Sequence, residues 1–337
     1  MSIFVAIPCL GNDTELIPTI KSIFAQAEKP ENIHIGIAMI GNKNLYNELI
    51  DEFDNNKNIK ISFYEYKDNI GVGKGRNFAR SLYNNQKYIL QIDPHSRMML
   101  NWDTYLIKQF EKAKKIVNNQ KIVLTGTPAR YKYYRIGKKT YVNIFFSQFI
   151  GVNQWLKKEN YRVNGTIPGW EHVPINVMSK NLIDLEIKNN IIPASKICAA
   201  FIFGDHFFAN SKTLDNSIIF WEEEILESIE LIDQGFSLMH PGNKAVISHL
   251  YTDDIVDNIG RREDLSSVLK LYVEKNENLT NFYDNKMLEN WNNYFANPKN
   301  QIKIQKFESY NNFSFKETIH DSHTYPKDYI NYGFLPL

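Results

Sequence analysis

The side chains best suited to chemistry in this sequence stand at the end of an apolar run, KYILQIDPHSRM, residues 87–98. Asp93 and His95 are two residues apart, and in an extended segment alternate side chains share a face. Both could therefore reach one ion. Pro94 between them fixes its own φ and stiffens the segment. A carboxylate with a neutral imidazole suits a borderline divalent cation such as manganese better than calcium. A turn-capping aspartate beside a packed histidine accounts for the same residues. His249, in VISHLYTDD, is either a third ligand or one more half-buried histidine. In FWEEEI, the acids Glu222, Glu223 and Glu224 open a helix, where the dipole favours negative charge. The aromatic pair before them would hold them at a pocket wall. Glycines open a further helix in GVGKGRNFAR, residues 71–80. They lack the G-x-G-x-x-G spacing of a dinucleotide site, and they follow the third strand, not the first. With Lys74 and Arg76, that helix start could cradle phosphate, or be a plain basic first turn.

The elements that must position these residues alternate. IFVAIPCL, IHIGIAMIG, IKISFYEY, YILQID and KIVLTGTP read as strands. Helical spacing fills the intervals, from Thr14 to Ala27, in LYNELIDEF, in the glycine-led segment and in WDTYLIKQFEKAKKIV. This pattern predicts a mostly parallel sheet covered on both faces. Ligands in such sheets sit beyond the carboxyl ends of the strands, where Asp93, His95 and the loop PCLGND fall. From about residue 126 the chain turns basic and aromatic in ARYKYYRIGKK, then turn-rich around Trp170. KICAAFIFGDHFFAN reads as a buried strand, FWEEEILESIELIDQGF as a helix closing on Gly235, and AVISHLY as a strand. The expected organisation is a domain over residues 1–255, split into a nucleotide-binding half (1–125) and an acceptor-side half (126–255). Residues 256–337 would form a partly helical, aromatic C-terminal extension.

The chain of 337 residues is 43% hydrophobic and 23% charged, enough for a substantial core. A formal net charge of +1 gives no global field for nucleic acid or anionic membrane. Nucleic acid gains no support from composition and is not excluded by it. Two cysteines, Cys9 and Cys198, lie in apolar surroundings and read as buried thiols, not as a disulfide framework. The first residues lack a basic leader, and no apolar run approaches a membrane span. A soluble, cytoplasmic protein is the expectation.

Five features occur in order: an IPC first strand, a G-x-x-R helix start, LQIDPHSRM followed by NWD, FWEEEI, and SHLY. Together, over roughly residues 3–253, they resemble the N-acetylglucosaminyltransferases that modify hydroxyproline on a ubiquitin-ligase adaptor, and their bacterial and viral relatives. More distantly they resemble the polypeptide N-acetylgalactosaminyltransferases. The resemblance implies a GT-A type nucleotide-diphospho-sugar transferase fold: α/β, with a mostly parallel central sheet and helices on both faces. In that family an Asp-Ser-His closes the nucleotide-binding half, and a later histidine completes the metal site. Pro94 replaces the serine here, which leaves both ligands in place. By the resemblance, Asp93, His95 and His249 bind manganese or magnesium on the diphosphate of a UDP-sugar. Arg76 helps with the nucleotide or holds Asp93. The IPCLGND loop, with Pro8, touches uracil and ribose. Arg97 contacts the donor or supports the residues that do. Glu223 and Glu224 line the sugar and acceptor site, with neither assigned as nucleophile. Tyr251, Trp170 and His206 are further candidates for the cleft wall. The implied activity is transfer of N-acetylglucosamine to a hydroxyl acceptor, with retention; a protein acceptor is the first expectation.

Two other classes compete: a non-catalytic GT-A-fold binding module, and a metal-dependent phosphohydrolase or nucleotidyltransferase. A dead copy tends to lose its ligands, and this set is intact. Metal phosphohydrolases cluster more carboxylates than the one Asp93 provides. A transferase acting on a polysaccharide or on phage or bacterial nucleic acid is a further alternative within the leading class.

Overall fold

The computed structural model describes residues 1–66, 71–136, 139–144, 191–251 apart from Ile192, Ser195, Trp221 and Asn243, and 279–311. Trp170 lies outside them. Strands β1 (Ile3–Leu10), β2 (Ile33–Ile40), β3 (Ile59–Tyr64) and β4 (Tyr88–Ile92) are mutually parallel, with β1 between β2 and β4. Helices α1 (Leu16–Gln26), α2 (Lys43–Phe53) and α3 (Val72–Arg80) connect them. All five residues of β4 are buried, which is why that strand reads as an unbroken apolar run and not as an alternation. Helix α4 (Trp102–Val117) leads to β6 (Ile122–Thr125). The finished sheet has seven strands in the order β10-β6-β9-β4-β1-β2-β3. β9 (Phe201–Asp205) is inserted antiparallel between β4 and β6, and β10 (Ser237–Met239) is the far edge.

A smaller sheet stands beside it, in the order β5-β11-β7-β8. β5 (Ser96–Met98) follows the Asp-Pro-His turn directly, a strand that the sequence pattern did not disclose. It pairs antiparallel with β11 (Ile247–Leu250), which lies parallel to β7 (Ala129–Ile136). The basic-aromatic run thus becomes a hairpin of β7 with β8 (Lys139–Ile144). Tyr131 is fully buried in it, so part of this hairpin belongs to the core.

The helix expected from Thr14 starts at Leu16, with Glu15 as its N-cap residue. After β9 come α5 (His206–Ala209) and α6 (Glu223–Asp233), whose C-terminus turns at Gly235 with φ 84°. Helices α7 (Leu279–Ala296) and α8 (Gln301–Asn311) pack back onto α6. Met287, Trp291, Ile304 and Phe307 join Ile225 and Ile229 in one apolar cluster. Tyr294 and Lys303 both donate to Glu230, at 2.7 and 2.8 Å. The Tyr310 hydroxyl meets both the N–H and the carbonyl of Leu238 at 3.1 Å, which covers the edge strand β10. Among the described residues, no helix is long and apolar enough to cross a membrane.

Candidate active site

Asp93 follows the last residue of β4, at the carboxyl end of the parallel strands. The turn after it is locally closed. Pro94 restricts the backbone, and the Ser96 hydroxyl donates to the Asp93 carbonyl at 2.8 Å. Helix α1 clasps the turn from outside. Thr19 Oγ1 accepts from the Ser96 N–H at 2.9 Å and faces the carbonyl oxygens of Pro94 and Ser96 at 2.6 and 2.8 Å. The pairing of β5 with β11 then brings in a residue 156 positions away along the chain. His249 lies opposite Ser96 in the register, and the Leu250 N–H donates to the His95 carbonyl at 3.0 Å.

The result is a compact group. One ligand atom from each of Asp93, His95 and His249 lies within 4.8 Å of the others, the only such cluster among the described residues. His249 Nε2 is 3.2 Å from Asp93 Oδ2, and the two imidazoles stand edge to face with centroids 4.4 Å apart. Both histidine side chains are buried, whereas 20% of the Asp93 side chain remains exposed, so the group opens to solvent on the carboxylate side. Burial opposes ionisation of Asp93, but Arg76, His249 and His95 outweigh it and hold the carboxyl well below the usual range. An anionic oxygen with two imidazole nitrogens is a donor set that a borderline divalent cation accepts. These side chains fit such an ion.

Behind Asp93, two helices are zipped together by buried charge. On α3, Arg76 and Arg80 are one turn apart, as are Glu223 and Glu227 on α6. Arg76 donates to Asp93 at 3.1 Å and pairs with Glu223 at 2.5 Å. Arg80 pairs with Glu227 at 2.7 Å and donates to Gln91 Oε1 at 2.8 Å. Burial, with Glu227 and Asp93 nearby, pushes Glu223 up to about 8 in spite of Arg76. Glu223 is therefore a support for Arg76, set inside the protein at 2% exposure. Glu224 is placed differently: it is paired with Lys196, accepts from the Ala199 N–H at 3.1 Å, and keeps 23% of its side chain exposed. β9 begins opposite Ile92, so the 196–199 turn and Glu224 lie beside the strand end that carries Asp93. Glu222 folds back instead, accepting from the N–H groups of Ile219 and Phe220.

The start of α3 is not an open anion cradle. Its first N–H groups are used: Val72 donates to the Ile219 carbonyl at 2.8 Å and Gly73 to Ile218 at 3.1 Å. A Cβ at Gly73 would stand 2.2 Å from the Asp215 carbonyl oxygen, so glycine is there for close backbone packing. Arg76 alone of the basic pair reaches the group. Pro8 pairs with Ala38 near the end of β1. It lies two residues past Ala6, which faces Gln91, and so is level with Asp93. Arg97 is buried and held by protein partners: it pairs with Glu15 and donates to the Ser96 carbonyl at 2.9 Å and to Tyr133 Oη at 3.2 Å. Tyr251 packs on His249 with centroids 4.5 Å apart and donates to the Pro128 carbonyl at 2.9 Å. His206 does not join the site. It follows Asp205, which pairs with Tyr88 at the opposite end of β4, and its side chain is 57% exposed.

Asp13 was missed by the sequence reading. Its Oδ2 lies 2.7 Å from His95 Nδ1, and its Oδ1 accepts from the Glu15 N–H at 3.0 Å. The available signal was an aspartate in the loop after β1, a position already expected to face ligand.

The seven-stranded α/β sheet, the smaller sheet beside it and the Asp-Pro-His turn at their junction define a GT-A glycosyltransferase. The chain belongs to the Glycosyltransferase (GlcNAc) family, whose sequence model matches residues 43–255. Among solved structures, it is similar to GalNAc-T7 with UDP, GalNAc and Mn2+, at 15% identity and a TM-score of 0.51. That similarity covers 100% of this chain and 58% of the other, so the chain spans under two thirds of that structure's length. TarS 1-349 of S. aureus in complex with UDP-GlcNAc is similar at 13% identity and a TM-score of 0.44, over 92% of this chain and 80% of that one. Comparison with curated proteins finds no match.

Proposed function

We propose that the protein moves N-acetylglucosamine from UDP-N-acetylglucosamine to a hydroxyl acceptor, with retention of configuration, using manganese or, in its place, magnesium. The observation that carries this reading is the Asp93, His95 and His249 group at the end of β4. A divalent ion there supplies Lewis-acid stabilisation of the departing diphosphate. This chain's own residues do the rest. Arg76 keeps Asp93 ionised, and Glu223 and Glu227 hold Arg76 and Arg80 in line behind it. Pro8 and the loop after β1 border the nucleoside. Glu224, beside the 196–199 turn and partly open, faces the sugar and acceptor. Glu223 is buried against Arg76 and serves as a positioning residue. Retention proceeds by attack on the same face, with the leaving phosphate taking the acceptor proton, so that no enzymic nucleophile is needed. Arg97 reaches the donor only through the loop that Glu15 anchors. The acceptor is a hydroxyl of a protein side chain, hydroxyproline, serine or threonine.

Support comes from the family to which the chain belongs, and from the GT-A fold shared with GalNAc-T7. The test is UDP release from a panel of UDP-sugars, with manganese or with chelator. Slow release from UDP-N-acetylglucosamine alone, abolished by chelator, is expected. Release from a different donor would correct the sugar. Failure to bind UDP in the presence of manganese would sink the reading.

A further inference from the structure

We infer that Asp13 is a positioning residue that sets the tautomer of His95 and thereby fits it to bind the cation. The inference rests on the metal reading above and deepens it. A carboxylate has no proton to give. At 2.7 Å from Asp13 Oδ2, the His95 Nδ1 must therefore carry the hydrogen and donate it. The ring is then left with its lone pair on Nε2, the form in which a histidine ligates metal. A second-sphere carboxylate of this kind also fixes the ring plane and raises the basicity of the ligating nitrogen.

The carboxylate itself is well fixed. Asp13 is 3% exposed, and its second oxygen accepts the Glu15 N–H at 3.0 Å. Two residues on, Glu15 is tied to Arg97 and accepts from both tyrosines of β7, Tyr131 at 2.9 Å and Tyr133 at 2.9 Å. The aspartate thus belongs to a short strap that leaves β1, crosses over the turn at residues 93–96 and is bolted to the smaller sheet. His95 is gripped from the front by this strap, while its own carbonyl is held from behind by Leu250.

Asp13→Asn separates the two jobs. The amide oxygen in place of Oδ1 still accepts the Glu15 N–H, so the loop is retained. The amide nitrogen in place of Oδ2 can only donate, which favours the hydrogen of His95 on Nε2 and so opposes ligation there. Two measurements follow. In metal-free protein labelled with 15N-histidine, long-range 1H–15N correlation spectra are expected to show His95 as the Nδ1–H tautomer in the wild type and the Nε2–H tautomer in Asp13→Asn. Mn2+ binding, read by electron paramagnetic resonance of free ion without any turnover, is expected to weaken about 10- to 100-fold in Asp13→Asn, to vanish in His95→Ala, and to be partly restored by Asp13→Glu. If Asp13→Asn binds Mn2+ like the wild type while His95→Ala does not, the role of Asp13 is overturned and the metal site stands. If the wild type binds no Mn2+, both fall together. An unchanged tautomer in Asp13→Asn overturns the role of Asp13 whatever the affinity.

Discussion

Two buried arginine–carboxylate clusters flank the same strand end, and they are built to opposite ends. In front, Arg97 and Glu15 are one charge against one, and both are fully engaged. Glu15 takes the guanidinium and two tyrosine hydroxyls, while Arg97 also reaches a carbonyl. Burial and Glu15 push Tyr133 up to about 12 and Tyr131 higher still, so both hydroxyls stay protonated donors. Behind the strand end, three carboxyls, Asp93, Glu223 and Glu227, face two guanidiniums, Arg76 and Arg80, and Glu223, pushed up to about 8, keeps its proton at neutral pH. Glu227 Oε2 and Arg80 Nη2 are buried without a hydrogen-bond partner among the described residues. A satisfied cluster locks a fold, whereas one with unmet polar atoms and an ionised carboxylate at an open edge, Asp93, is ready for a cation.

The largest effect is expected where the second cluster meets solvent. Asp93→Asn removes a ligand and the anchor of Arg76 together. Since loss of a supporting contact alone costs 10- to 100-fold in such sites, the drop in metal-dependent UDP release is expected to exceed about a hundredfold, with the circular dichroism spectrum unchanged. Near-normal manganese-dependent turnover would mean that the two clusters do not differ in the way argued.

The front cluster is broken by Arg97→Met, which leaves Glu15 buried with tyrosine donors alone. Removing one partner of a buried pair typically costs about 3–5 kcal/mol, read by urea unfolding. Folded variant at low temperature is expected to keep its apparent affinity for UDP. The opposite result, unchanged stability with a raised KM for donor, would return Arg97 to the donor site that the sequence resemblance gave it.

This contrast marks how far the sequence could be read. Strands β1 to β4 and the helices between them were legible because each is one local run with its own period, and Asp93 with His95 because they share one extended segment. Gln91, Arg80 and Glu227 carry no such local signal, since their meaning lies in two helices that pair directly with each other over one face of the sheet. β5 escaped because three residues are too short for a period, while β9 was legible as a buried strand but not as an antiparallel one, since nothing in an apolar run tells its direction. Gly71 and Gly73 were visible, but the physical reason for them was backbone contact with residues 215–219, which only the fold reveals. Asp13 lay in plain view in the right loop; its partner was 82 positions away.

That seating of α3 gives a smaller and more local test. Gly73→Ala drives a Cβ against the Asp215 carbonyl, and overpacking of this kind costs roughly 1–3 kcal/mol. Arg76 follows on the next turn, so the shift is expected to weaken Mn2+ binding along with stability. The front cluster, on α1 and the smaller sheet, does not touch α3 and is expected to be unaffected, which tyrosine fluorescence of Tyr131 and Tyr133 as sole labelled analogues can follow. Loss of stability with full Mn2+ affinity would show that Arg76 does not depend on the helix start.

The surplus carboxyl of the rear cluster predicts a pH dependence of its own. Burial raises Glu223 from 4.5 to about 8 in the folded protein. Between those values the folded chain keeps a proton that the unfolded chain releases, so the folded state binds more protons and stability falls as pH rises. Above about 8 both states are deprotonated and the slope ends. Glu223→Gln cannot ionise and lacks this slope. With chelator present to keep the rear cluster metal-free, wild type and variant are expected to melt at similar temperatures near pH 5. The variant is expected to gain a few degrees on the wild type by pH 9, the scale on which modest stability changes appear in melting temperature. Added manganese is expected to shrink the difference, because a cation at Asp93 offsets the extra negative charge. Parallel melting profiles across the whole range would mean that Glu223 is ionised throughout and that Arg76 satisfies it as completely as Arg97 satisfies Glu15, erasing the distinction between the two clusters.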